Sequence, residues 1–438
     1  MQNSRPIGFF SASSIVIANM IGTGVFTTLG FQVLEIDSVP AILMLWIIGG
    51  MMALCGALVY GEIGVRLPRS GGEYFYLSKI YHPAIGFLAG WTSLFAGFAA
   101  PVALAAMALG QYFAKTNLIP GIDPRFTGIA VVVLFSLIHS YTLHYGKKVQ
   151  NVFTVLKVGL IIFFIISGLT APSPVTLSLL PDAHCWSWIF HPVFAVSLVY
   201  VSFAYSGWNA SAYIAGEIER PEKNLPMSLL AGTVVVILLY VMLNFIFLYT
   251  VPASELAGQI EVGQISAGKI FGEGGGRIMS AMISLLLVST VSSMIIAGPR
   301  VTQVMGEDTP VMNIFSVKNR HGVPARALLL QSGITLFFIL TSTFEQVLTY
   351  TGFTLNLFTF LTVAGIFLIR KKPGDSFSGY RTRWYPLTPI LFLLINLWIL
   401  IFVFINKPWE SLFGIVTVLL GLVVYYSGKK SEPRNGNS

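Results

Sequence analysis

Charge is scarce in this chain. Only 10% of its 438 residues are Asp, Glu, Lys or Arg, against roughly 25% in soluble domains. A chain this apolar (55% hydrophobic) cannot dress a water-facing surface, so most of its exterior must face lipid. Cysteine is nearly absent. Cys55 stands in an apolar run and Cys185 in a polar loop, which argues against a disulfide and against a thiolate metal site. No His, Asp, Glu or Cys cluster converges at one depth, so an enzyme is not expected, nor is a metal or other cofactor. His139 and His144 sit five apart near a helix end without a third ligand and are read as interfacial. Carboxylates are missing where a membrane protein would use them. All eighteen acidic residues fall in loops or near helix ends, with Glu62 and Glu217 coming closest to the interior. A site for cationic substrates, or a carboxylate proton relay, needs one at mid-depth; a site for a neutral zwitterion does not. Long polar linkers are absent too. The longest non-membrane stretches are 172–190, 252–275 and 307–324, too short for a separate soluble domain.

What the chain has in quantity is apolar runs of about 20 residues, the length that crosses a bilayer. Twelve are read, over 8–30, 39–65, 84–114, 126–146, 150–171, 191–218, 226–251, 276–306, 325–343, 346–369, 384–405 and 409–427. The expectation is one all-α transmembrane domain. The first run lacks a small-residue cleavage pattern and is read as a retained span. Twelve spans put both termini on one side. That side carries 20 Lys and Arg residues against 5 opposite, with Lys157 inside a span completing the 26. Such a bias marks the cytoplasmic side. The net charge of +8 is thus a topology signal and not a nucleic-acid footprint. The tail 428–438 is polar and expected to be disordered.

Two of these runs are broken by glycine. The first reads Met20-Ile-Gly-Thr-Gly24 in span 1, and the second Phe203-Ala-Tyr-Ser-Gly-Trp208 in span 6. Glycine weakens a helix. In a bilayer an opened backbone is tolerated only where it lines a cavity or is buried in protein. Breaks five spans apart divide the chain into two halves, 8–171 and 191–369, with 384–427 appended. An odd number of spans per half inverts the second relative to the first, the layout of many transporters with a midplane site. At Gly22-Thr23-Gly24, N–H groups freed at the start of the next half-helix suit a carboxylate. Around Phe203 and Ser206-Gly207, freed carbonyls suit an ammonium group. Together they fit an α-amino acid zwitterion; close helix packing is the plainer use of such glycines.

Lys157 is the one charge well inside a span. It is placed about two turns into span 5, roughly 10 Å from the helix start at 1.5 Å per residue. Snorkelling to the interface is one reading. The other is an internal ammonium bridging spans 1, 5 and 8, as a fixed substitute for a cation or as a titrating group. Thr290 and Ser293 share a face of span 8 and offer it hydroxyl acceptors. Phe203 and Trp208 flank the second break and are candidate gates. Tyr240 in span 7 is either aimed at the site or packed.

These segments, with Tyr60-Gly-Glu-Ile-Gly-Val-Arg-Leu-Pro-Arg-Ser-Gly-Gly-Glu-Tyr-Phe-Tyr76 after span 2, resemble the amino acid–polyamine–organocation superfamily, most closely its L-amino-acid transporter branch, over nearly the whole chain. The resemblance implies the leucine-transporter fold, a five-plus-five inverted repeat with helices 1 and 6 unwound, and alternating access. It implies that a substrate carboxylate meets amides near Thr23 and Gly24, within the segment Met20, Ile21, Gly22, Thr23 and Gly24. The amine would meet carbonyls near Met20, Phe203, Ala204 and Ser206. Phe203 matches the family's outer gating aromatic, and Lys157 matches a lysine that replaces a sodium ion in sodium-independent members.

Three departures bear on this. Ala18 stands where relatives often carry glycine, at the expected span-1 partner of Lys157. Span 6 has Ser206-Gly207 in place of Gly-Gly, and span 8 carries Pro299 in Ala297-Gly-Pro-Arg300. The loop at 115–125 lacks the cysteine that animal members use to bind a glycoprotein, so no disulfide-linked heavy subunit is expected. The resulting expectation is a plasma-membrane, sodium-independent exchanger of neutral L-amino acids with small side chains, such as Ala, Ser and Cys. Its partners would be those amino acids and membrane lipid, not nucleic acid. Proton-coupled symport is the alternative, and an amino-acid-sensing receptor or channel on the same fold is the alternative of another class.

Overall fold

The computed structural model describes residues 7–141, 147–171, 175–181, 183–371 and 377–430. Among these residues the elements are helical, apart from an isolated bridge between Ile7 and Ile218. In chain order they are α1 (Phe9–Met20), α2 (Gly24–Thr27), α3 (Leu29–Glu35), α4 (Val39–Arg66), α5 (Gly72–Ile80) and α6 (Pro83–Thr92), which passes through a π-helical stretch (Ser93–Ala99) into α7 (Ala100–Lys115). There follow α8 (Pro124–Tyr141), α9 (Lys147–Leu169), α10 (Ala183–Ile189) and α11 (Pro192–Ala204), then a 3-10 segment (Ala210–Glu217). The chain continues with α12 (Pro221–Thr250), α13 (Ala253–Leu256), α14 (Val262–Asp308), α15 (Ala325–Thr341), α16 (Phe344–Arg370), α17 (Leu387–Asn406) and α18 (Pro408–Lys430).

Among the described residues ten helices are long and apolar enough to cross a membrane, and an eleventh if α10 and α11, bent by 70°, count as one. The apolar helix α15 is shorter, at 17 residues. The protein is a multi-pass membrane protein. Its helices begin where local chemistry allows. Ser38 accepts from the Ala41 N–H ahead of α4, and Pro40 sits in the first turn, where a missing N–H costs nothing. Thr343 and Gln346 form a reciprocal capping box at α16. His82 and His191 cap helices that open with Pro83 and Pro192.

Two connections between the expected spans are helical. The stretch after span 2 forms α5, and α14 starts at Val262, not near 276, with a non-helical Gly272 (φ +75°) interrupting it. The apolarity that marks a membrane span does not register short helices outside the bilayer. Lys157 lies ten residues into α9, about 15 Å along its axis at 1.5 Å per residue, deeper than expected. His144 and the tail 431–438 lie outside the described residues.

At the centre, α1 packs on α12, α12 on α4, and α14 on α7. The alanine-rich run Ala99–Ala106 on α7 and its approach is buried against these neighbours. Small side chains let the helices approach closely, so that run serves packing.

Candidate functional site

α1 stops at Met20, and helix resumes at Gly24 after the bends Ile21, Gly22 and Thr23. α11 stops at Ala204, and the five residues 205–209 form turns before the 3-10 segment. The two interruptions lie against each other. A Cβ at Gly24 would sit 2.6 Å from both Cα and Cβ of Ala204. Gly207 has φ +98°, and a Cβ there would sit 2.8 Å from the backbone carbon of Asn19. Only glycine allows both approaches. Below the contact, Ser211 Oγ donates to the Ala12 carbonyl at 2.8 Å, and Ile7 and Glu219 exchange backbone bonds with Glu217 and Ile7. α1 and the second half of span 6 are therefore tied together.

The exposed groups at the two interruptions differ in sign. Thr23 and Gly24 open a helical turn, so their N–H groups have no preceding turn to pair with. At the end of α11 the carbonyls of Val201 and Phe203 accept from the N–H groups of Tyr205 and Ser206, and a carbonyl oxygen keeps a second lone pair.

A cavity of about 670 Å³ starts at this contact. Asn19, Met20, Gly22, Thr23 and Gly24 line it on one side, and Ser202, Phe203, Ala204, Ser206, Gly207 and Trp208 on another. Asn356 of α16 donates to Ser202 Oγ at 2.9 Å on its wall. From there it runs toward the side that holds the ends of α1, the 3-10 segment and α14, past Glu73, Glu217 and Arg300. On the opposite side the helices close. Phe31 stacks on Phe344 at 5.8 Å and meets Tyr200 edge-on, while Tyr200 and Lys407 both donate to Glu345 at 2.7 Å.

Lys157 reaches the first interruption. Its Nζ donates to the Ile21 carbonyl at 3.1 Å and to Thr290 Oγ1 at 2.9 Å. The ammonium thereby ties α9, the break in span 1 and α14. Two expected partners are not there. No hydrogen bond joins Lys157 to Ala18; the acceptor lies three residues on, where the helix has ended and a carbonyl is free. Ser293 donates instead to the Thr290 carbonyl at 3.0 Å, a local bond typical of helical serine. Ile21 does not line the cavity, and its carbonyl is engaged by Lys157.

Tyr240 also acts from behind. It is fully buried, off the cavity wall, and donates to the Met20 carbonyl at 2.6 Å. Its ring packs with Trp46 and Tyr205 at 5.7 and 5.2 Å between centroids. Trp208 packs edge-on against Tyr60 at 4.8 Å and near Phe392, on the open side of the cavity. Phe203 lies at the break itself.

Three polar groups near helix ends are buried, of which Glu73 is not singled out from the sequence. His139 is buried, not interfacial, and bonds Ser292 Oγ of α14 at 2.8 Å. Glu62 is fully buried in a cluster with Arg66, Arg370 and Thr382. Glu73 is buried on the cavity wall. Their signal in the sequence is weak, because each sits close to a helix end where burial cannot be read. Among the described residues Cys55 and Cys185 form no disulfide, and no metal-binding cluster occurs.

The family model described as amino acid permease matches residues 7–424. The chain belongs to that family. It is 28% identical to the serine/threonine exchanger SteT of Bacillus subtilis (strain 168), covering 98% of each chain. It is 25% identical to the human b(0,+)-type amino acid transporter 1, over 96% of this chain and 87% of that one. It is 27% identical to the human large neutral amino acids transporter small subunit 2, over 97% and 80%. This permease is accordingly a transporter and not an enzyme.

Proposed function

We propose that this permease exchanges small neutral L-amino acids, without sodium, by alternating access at the two touching helix breaks. The observation that carries the reading is the contact of Gly24 with Ala204 and of Gly207 with Asn19, which sets amide donors beside carbonyl acceptors at the head of the cavity. The donors suit a substrate carboxylate and the acceptors an α-ammonium group. No carboxylate lines the cavity at the breaks; Glu73 and Glu217 stand farther out, so a cationic side chain has no partner there. In this reading Phe203 and Trp208 gate the site, and Tyr240 braces the Met20 carbonyl. Lys157 fills the place of a cation between the Ile21 carbonyl and Thr290.

The same reading assigns twelve spans in the leucine-transporter arrangement, with α15 and the α10–α11 pair counted, and 8–171 and 191–369 as inverted repeats. The basic side faces the cytoplasm of a plasma-membrane protein, so the described cavity opens inward. No disulfide-linked heavy subunit is needed. Proteoliposomes preloaded with unlabelled serine or alanine decide the exchange step. Labelled serine enters at least several times faster than into unloaded vesicles if exchange is obligatory. Equal uptake with and without internal substrate, driven by an imposed proton gradient, overturns it in favour of symport.

A further inference from the structure

The wall of the cavity holds a carboxylate that the substrate site does not use. Glu73 stands in the first turn of α5, outside the membrane-spanning helices, and is only 5% exposed. Tyr60 of α4 donates to its Oε1 at 2.6 Å and Asn209, just before the 3-10 segment, donates at 3.1 Å. Tyr213 of that segment adds a further hydrogen bond. Three elements thus meet on one carboxyl group: α4, α5 and the second half of span 6.

Among the described residues no salt bridge reaches it, while Glu217 and Arg300 line the same cavity. Arg69 and Lys79 lie over the Phe75 ring on the other face of α5. Arg66 and Arg370 are turned to Glu62. The ionisable groups that face Glu73 are the phenols of Tyr60, Tyr76 and Tyr213, all neutral near pH 7. Tyr74 turns away to Asp308 at 3.0 Å, and His82, at the start of α6, caps its own helix. A buried carboxylate with neutral donors and no salt bridge is held less well as an anion than as an acid.

We propose that Glu73 is a proton-binding site that clasps α5 and α4 to the second half of span 6, holding the cavity open toward the side of the chain termini. The proposal rests on the alternating-access reading above. Burial, the dominant effect, raises the Glu73 carboxyl to about 7, while the three hydrogen bonds oppose it. In a conformation where the clasp opens to water, the carboxyl returns toward the ordinary carboxylate range. The state with the higher pKa gains from protonation. Acid on the terminal side therefore favours the clasped, open cavity, and that preference is lost as pH rises through about 7.

A reporter thiol tests this without depending on transport. Ala297→Cys, exposed on the cavity wall, is made with Cys55→Ala and Cys185→Ala and labelled from the terminal side with an impermeant maleimide. Dividing its rate by that in an added Glu73→Gln variant, which stays uncharged, removes the intrinsic pH dependence of the thiol. The ratio is expected near one at pH 6 and to fall severalfold by pH 8. Tyr60→Phe removes a donor to the anion and moves this fall to higher pH by about one unit. A ratio constant from pH 6 to 8 overturns the proposal. If Glu73→Gln does not fold, the profile of the unsubstituted reporter protein against that of Tyr60→Phe decides, and coincident midpoints overturn it. Serine exchange measured on the same vesicles separates the two ideas, since loss of exchange at every pH sinks the transport reading and leaves the thiol result standing.

Discussion

Replacing Gly24 with alanine sets a methyl carbon 2.6 Å from both Cα and Cβ of Ala204, where ordinary contact begins near 3.4 Å. The obstructing atoms include backbone, so no rotamer change relieves them, and one break must retreat by most of an ångström. Overpacking of this kind costs about 1–3 kcal/mol, or roughly 5- to 150-fold in an equilibrium constant. The cost falls on the geometry that joins the amide donors to the carbonyl acceptors. Gly22 stands two residues away in the same Gly-Thr-Gly motif and is different. A Cβ there meets only the Met20 carbonyl oxygen at 3.9 Å. Gly22→Ala is then a change of about 0.5 kcal/mol or less, within roughly twofold. Both variants are reconstituted in proteoliposomes, and KM and turnover for serine counterflow are measured beside thermal unfolding in detergent. Gly24→Ala is expected to lose transport by 5- to 150-fold with the fold retained, and Gly22→Ala to stay near the parent. Equal behaviour of the two refutes the claim that contact between the breaks builds the site.

Four further substitutions test separate parts of the account. Tyr240→Phe keeps the ring among Trp46 and Tyr205 but removes the donor to the Met20 carbonyl; a lost hydrogen bond of about 0.5–1.5 kcal/mol predicts 2- to 12-fold weaker serine binding by thermal-shift titration. Thr290→Val takes an acceptor from the Lys157 ammonium, worth about 1.5–3 kcal/mol and so more than tenfold in exchange rate, whereas Ser293→Ala should be near neutral. Glu62→Gln removes the charge that Arg66 and Arg370 share in a buried setting; breaking such a pair costs about 3–5 kcal/mol and should lower the unfolding temperature sharply without altering KM in the surviving fraction.

Much of this architecture is legible in the chain because lipid imposes a coarse code. Long apolar runs, the basic bias of alternate loops and two glycine interruptions locate most of the long helices and the place where two of them stop. Lys157 stands out as a charge deep in an apolar run, and Thr290 follows from its face on α14. Finer matters depend on three-dimensional approach. That the Lys157 acceptor on span 1 is the Ile21 carbonyl, and not a group at Ala18, depends on where the helix ends. That Tyr240 points behind the break, and not into the cavity, is set by its packing on Trp46 and Tyr205. The burial of Glu73 and His139 escaped because a polar residue near a helix end reads as solvent-exposed until the packing elements are in place.

The most direct test of the central claim is the sodium dependence of serine exchange in proteoliposomes, measured for the parent and for Lys157→Ala with choline replacing sodium. The account predicts that the parent exchanges equally well in either salt. It also predicts that Lys157→Ala loses at least tenfold in rate, because the Ile21 carbonyl and Thr290 hydroxyl lose a shared charged donor worth about 1.5–3 kcal/mol per bond. A parent that needs sodium, or a Lys157→Ala variant with undiminished exchange, contradicts it.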